Sequence, residues 1–153
     1  MMATERAKRF QGRFRHVLDS KGRLSIPAPF REQLERMGSD ILVVTNSEQW
    51  LDVYPLDQWE TFMERVDSLP RFSKDAELFR LFYVSSAQEV QLDRQGRILI
   101  PQTLREEVHL NKEAVILGMG ITMQIWEKGI WEQVHEEAKR RFREIKNNLS
   151  EVL

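Results

Sequence analysis

Cysteine is absent from the 153 residues, which excludes a disulfide framework and any thiolate metal site and fits a reducing compartment. No apolar run approaches the ~18 residues of a membrane-spanning helix, and no apolar stretch follows the first basic residues as in a secretory signal. The expectation is a soluble, cytoplasmic protein with no membrane partner. Histidine is scarce: His16, His109 and His135 stand far apart and form no paired-His or His-x-Glu spacing, so neither a metal nor another cofactor is expected. An excess of one charge is also lacking, because the net charge is −1, and this excludes a blanket polycation.

The charge that is present is segregated. Residues 1–23 carry Arg6, Lys8, Arg9, Arg13, Arg15, Lys21 and Arg23 against Glu5 and Asp19, a net +5 that leaves −6 for the remainder. A solvated basic arm would have this composition, and so would a surface that meets polyanions. Residues 1–9 have no periodicity and read as an arm whose order depends on what it touches.

The chain also repeats itself. Asp19-Ser-Lys-Gly-Arg-Leu-Ser-Ile-Pro27 is answered by Asp93-Arg-Gln-Gly-Arg-Ile-Leu-Ile-Pro101, and Arg31-Glu32 by Arg105-Glu106 in step. In each copy an apolar run (Val17-Leu18, or Val90 to Leu92) reaches an Asp-x-x-Gly-Arg corner. There Gly22 or Gly96 can supply the positive φ of a tight hairpin between two strands. The second strand ends at Pro27 or Pro101, whose fixed φ and missing N–H suit a first helical turn. Phe30 and Leu34, or Leu104 and Val108, then lie four apart on one helix face.

Phe10 to Leu18 reads as a strand with Arg13 and Arg15 on one face. Ile41 to Thr45 and Trp50 to Tyr54 form a strand pair, repeated by Ala114 to Leu117 and Thr122 to Trp126, with a two-residue shortening expected in the Gly118-Met-Gly120 turn. That turn is followed by a strand and no Lys-Ser/Thr, so it is not a phosphate cradle. Leu56, Trp59, Phe62, Met63 and Val66 form an apolar helical stripe that ends near Leu69-Pro70. A further helix is expected from the N-cap Ser73 to Tyr83. From Lys128 to Leu149, Trp131, Val134, Ala138, Phe142, Ile145 and Leu149 line one side of a long closing helix.

Two symmetric aspartates invite the idea of a proton-sharing hydrolytic dyad. Lys21 or Arg94 crowds each loop, however, and Arg23 or Arg97 follows four residues on. The reading preferred is an ion pair or carboxylate-to-backbone cap, with Asp19, Gly22, Asp93 and Gly96 as structural corners. Arg23 and Arg97 can serve within that pair and also present a guanidinium to phosphate or guanine edges. No enzyme activity is expected.

The doubled Asp-x-x-x-Arg before Ile-Pro, with Lys21-Gly-Arg-Leu-Ser-Ile-Pro27 and Phe30-Arg-Glu-Gln-Leu34, resembles the MraZ family from Phe10 to about Arg143. That resemblance implies an α+β fold: a duplicated AbrB-like (SpoVT-AbrB) swapped-hairpin β-barrel made by two half-modules of one chain. The expected parts are a basic arm over 1–12, half-modules over 13–57 and 86–129, connecting helices over 58–85 and a C-terminal amphipathic helix over 130–153. It further implies a nucleoid-associated, sequence-specific transcriptional repressor of the bacterial division and cell-wall gene cluster, working as a ring-shaped homo-oligomer on double-stranded DNA. The DNA-binding residues it implies are Arg13, Arg15, Lys21, Arg23, Arg94 and Arg97. One corner neutralises too few phosphates for selective binding, so several subunits on direct repeats in the promoter are expected, joined through the stripes led by Trp59, Phe62, Trp131 and Phe142. The alternative is an antitoxin-type module that holds a protein partner.

Overall fold

Duplication in the sequence becomes symmetry in the strand order. The computed structural model describes residues 9–153, so Arg6 and Lys8 of the basic arm lie outside the described residues. The first half contributes β1 (Arg13–Val17), β2 (Arg23–Ser25), β3 (Ile41–Asn46) and β4 (Leu51–Pro55). The second contributes β5 (Gln88–Gln91), β6 (Arg97–Leu99), β7 (Glu113–Gly118) and β8 (Met123–Glu127). Among the described residues there are five α-helices: α1 (Ala28–Arg36), α2 (Leu56–Asp67), α3 (Lys74–Phe79), α4 (Gln102–Glu107) and α5 (Lys128–Asn148). Six strands form one antiparallel sheet in the order β1-β7-β8-β4-β3-β5, while β2 and β6 pair in a separate ribbon. Read backwards, the order exchanges equivalent strands, which places a pseudo-twofold between β4 and β8.

The halves trade edges. β1 pairs with β7, Arg15 lying opposite Val115, and β5 pairs with β3, Val43 lying opposite Glu89. The Asp-x-x-Gly-Arg corner is therefore not the simple hairpin expected. Asp19 N–H donates to Arg23 O and Gly22 N–H to Asp19 O, both at 3.0 Å, which closes the turn locally before β1 and β2 part into different sheets. The physical reason lies in Leu24 and Ile98, which face each other in register and are buried. A three-residue strand with one inward side chain fills its backbone bonds and its core position together by pairing with its own copy.

Leu42, Val44, Leu51, Val53, Ile116 and Ile125 share one core with Leu24, Ile98 and the helix residues Phe30, Leu34, Leu104 and Val108. The other sheet face carries Val43 and Tyr54 under α2, and Val115 and Trp126 under α5. Coverage on both faces explains why Ile41 to Val44 reads as an unbroken apolar run. The second copy's shortening falls elsewhere than expected. Pro27 and Pro101 are 74 residues apart, whereas the paired residues Val44 with Val53 and Ile116 with Ile125 are already 72 apart. The loss sits in the helix segment, where α4 has six residues against nine in α1. His109, at φ 58°, ends the shorter helix as Gly38, at φ 69°, ends the longer one.

The expected helix to Tyr83 holds its α form only to Phe79, with Ser73 Oγ accepting from Ala76 N–H at 3.2 Å. Arg80–Val84 is a π turn. Its extra residue accompanies the inward placement of Tyr83, whose hydroxyl donates to Asp52 at 2.5 Å and lies 2.6 Å from the Tyr54 hydroxyl. Burial, then the Asp52 bond, pushes the Tyr83 phenol far above its ordinary range, so it remains a donor. In α5 only Trp131 is fully buried, and from Ala138 onward every residue except Ile145 is exposed. No helix among the described residues is long and apolar enough to cross a membrane.

Candidate nucleic-acid interface

Each corner is built by one carboxylate. Asp19 Oδ1 accepts from Lys21 N–H and Arg23 N–H, both at 2.9 Å, while Oδ2 accepts from Arg23 Nε at 2.6 Å. Asp93 repeats the pattern, with Gln95 N–H at 2.8 Å, Arg97 N–H at 2.9 Å and Arg97 Nε at 3.0 Å. One side chain thus caps the turn and fixes the direction of the arginine. The backbone bond from Arg23, above all, holds the Asp19 carboxyl down to about 2, and the equivalent bond from Arg97 lowers Asp93. Both are anions near neutrality. A proton-sharing dyad requires one carboxyl raised by the other, and the direction here is the opposite.

The two corners meet in the ribbon. Arg23 lies opposite Leu99 and Ser25 opposite Arg97, and strand alternation puts these four on the outer face while Leu24 and Ile98 point inward. Arg97 Nη1 also comes within 3.8 Å of Asp19 Oδ2. Lys21 and Arg94 are exposed in the turns beside them. The result is a small exposed face with two guanidinia in fixed positions, flanked by two further cations.

Arg13 and Arg15 are placed differently. They share the outward face of β1, yet both reach α5: Arg13 Nη1 is 3.1 Å from His135 Nε2 and its guanidinium lies over the Trp131 ring, while Arg15 Nη2 is 3.6 Å from Glu132. Position along β1 separates them from the ribbon, and α5 gives them partners far away in sequence. At the start of the described chain Phe10 is buried and bridges to Gly120.

Two further cations belong to this surface. Gly22 and Gly96 have φ of 86° and 75°, and both are buried although they sit in turns. What covers Gly22 is Arg105 of the other half, and what covers Gly96 is Arg31. Their matched positions after Ile-Pro were visible in the repeat; their crossing over to the opposite corner was not.

Two strand-exchanged half-modules that display paired arginine corners define a duplicated α+β scaffold. A family model described as "MraZ protein, putative antitoxin-like" matches residues 10–82 and again 83–152, and the chain belongs to the MraZ family. It is 38% identical over 138 residues, 90% of this chain and 94% of the relative, to the transcriptional regulator MraZ of Caldanaerobacter subterraneus subsp. tengcongensis. It is 39% identical over 144 residues, 94% and 99% of the two chains, to the protein of that name from Desulforamulus reducens. The Alkaliphilus oremlandii protein of the same name is 39% identical over 143 residues, 94% and 98%. The relatives are named as transcription regulators, and the chain takes its place with that class and not among enzymes.

Proposed function

We propose that this protein is a cytoplasmic, nucleoid-associated repressor that binds repeated promoter elements of the division and cell-wall gene cluster as an oligomer. The observation that carries the reading is the ribbon register, which sets Arg23 and Arg97 on one exposed face, each aimed by its own aspartate. A fixed guanidinium suits the paired acceptors of a guanine edge, and Lys21 and Arg94 beside it suit phosphates. Arg13 and Arg15 extend the cationic surface only where approaching DNA competes with His135 and Glu132.

The test is a titration of a duplex carrying the repeats upstream of the protein's own gene, at several salt concentrations. With roughly four to six phosphate contacts, the slope of log affinity against log salt is expected at roughly −4 to −5. Binding that does not change with salt sinks the reading.

Of the expected stripe only Phe142 stays a candidate for oligomerisation, joined by side chains of the connecting segment. Trp59 and Phe62 pack on Tyr54 and Tyr83, and Trp131 packs on Val115 and Trp126. Phe142 remains 62% exposed, and Phe72 stands 95% exposed with Leu81 and Phe82 on the same connecting segment. These are the side chains that support subunit contact. Phe72→Asp is expected to lower the assembly state in light scattering and to weaken binding to several repeats by roughly 10²-fold while leaving one repeat little affected. An unchanged assembly assigns the contact elsewhere.

The antitoxin-type reading draws on the family description and on the apolar side of α5 after Ala138. It expects a protein partner on Phe142 and Leu149 and no preference for repeated over random duplex, which the same titration measures.

A further inference from the structure

We propose that Arg31 and Arg105 are crossed positioning residues: each half's helix arginine sets the DNA-reading corner of the other half, so Arg105 governs Arg23 and Arg31 governs Arg97. This rests on the DNA-binding reading of the ribbon. Arg31 and Arg105 occupy the same place, in the first turns of α1 and α4, with their N–H groups bonded to Pro27 O and Pro101 O. From there each side chain crosses the pseudo-twofold.

A Cβ built on Gly22 would stand 2.5, 2.7 and 2.8 Å from Arg105 Cζ, Nε and Nη2. Three nearly equal distances mean that the guanidinium plane faces the glycine. At Gly96 the Arg31 side chain is as close, with Cδ at 2.3 Å and Nη1 at 2.7 Å from such a Cβ. The glycines thus answer two requirements at once, a positive φ and room for a guanidinium. Arg105 Nε donates to Ile100 O at 3.0 Å, and Ile100 N–H donates to Gly22 O at 3.0 Å. Helix arginine, ribbon strand and opposite corner are therefore one bonded chain on the Arg105 side. On the other side Ile26 N–H repeats the strand-to-corner bond to Gly96 O at 2.9 Å, and Arg31 meets that corner by lying against Gly96.

Space alone does not account for arginine here. Leucine or methionine would cover a glycine without placing another cation beside Lys21 and Arg23, a like-charge arrangement that weakens the free protein and favours an approaching phosphate. The crossed layout means that loss of one helix arginine impairs the corner of the other copy and spares its own.

Double-mutant cycles on repeated operator DNA test this. Arg105→Met, which keeps the packing stem, is expected to weaken binding roughly tenfold; the loss disappears in an Arg23→Ala background and persists in Arg97→Ala. Arg31→Met shows the mirror pattern. A readout without DNA is the amide resonance of the glycines: Arg105→Met shifts Gly22 and leaves Gly96, and Arg31→Met does the reverse. Should a Met variant fail to fold, Arg105→Lys, which lacks the Nε donor to Ile100, is read in the same way. Coupling of Arg105 to Arg97, or glycine resonances that move without this crossing, overturns the proposal. If the wild type binds no DNA, the DNA-binding reading fails by itself, and the glycine pattern still decides the positioning.

Discussion

The double substitution Arg23→Ala with Arg97→Ala is expected to leave a folded protein whose affinity for repeated operator DNA is roughly 10² to 10⁴-fold lower. Each guanidinium that reads a base edge is worth about 1 to 3 kcal/mol of discrimination, and each 1.4 kcal/mol is tenfold. Both side chains are partly exposed, at 35% and 27%, so their removal exposes Asp19 and Asp93 to water and opens no cavity in the core. A random duplex should lose much less, since only the salt-dependent share is touched. Fluorescence anisotropy at one fixed salt concentration, with melting curves on the same samples, checks the expectation. A folded variant within about threefold of wild type on the operator would falsify the assignment of the ribbon as the reading face.

The largest expected loss of stability comes from a residue that touches no ligand. Leu24 is wholly buried opposite Ile98, at the centre of the ribbon that joins the halves. Leu24→Ala removes apolar contacts and leaves a cavity, at a cost of about 2 to 5 kcal/mol. For a chain of this size that corresponds to a fall in Tm of roughly 4 to 20 °C. The ribbon makes the larger figures more reasonable, because two strands of three residues have no independent stability and depend on the side chains beneath them. Val17→Ala, at a site 59% exposed, is the control and should stay within about 0.5 kcal/mol of wild type. Equal melting temperatures for the two variants would show that the ribbon does not hold the halves together.

What was legible in the sequence was local. Pro27 and Pro101 announce their helices, Gly22 and Gly96 announce positive φ, and each aspartate four residues before an arginine announces a capped corner, because a few consecutive residues settle these features. Faces were legible as well: Phe30 with Leu34, and Leu104 with Val108, enter the core through their spacing. Partners adjacent in sequence were legible too, since β3 pairs with β4 and β7 with β8 as expected; distant partners were not. Periodicity says that Val43 and Val44 face opposite sides, but not that Val43 pairs with Glu89 or that β1 crosses to β7. Nor does anything near Arg13 indicate His135, which packing brings to it from 122 residues away. The π turn at Arg80–Val84 was hidden for a related reason, since the helical spacing of Ala76, Phe79 and Tyr83 continues through it while the partners of the Tyr83 hydroxyl, the acceptor Asp52 and the neighbouring Tyr54 hydroxyl, lie on β4.

Edge exchange has a consequence for how the molecule is made. Arg13 pairs opposite Leu117, so β1 leaves the ribosome long before its partner exists. At ~5 to 20 residues per second the wait is on the order of 5 to 20 s. During that time the apolar strand β3 also lacks β5, and the first half has no means of completing itself. On a crowded polysome the missing strands are present on the neighbouring nascent chain, identical to those still to come. Two chains that swap halves satisfy every strand pair that one chain does. The choice between one molecule and two therefore falls to the connection from Asp67 to Gln88, whose reach sets the local concentration of a chain's own second half against that of its neighbour.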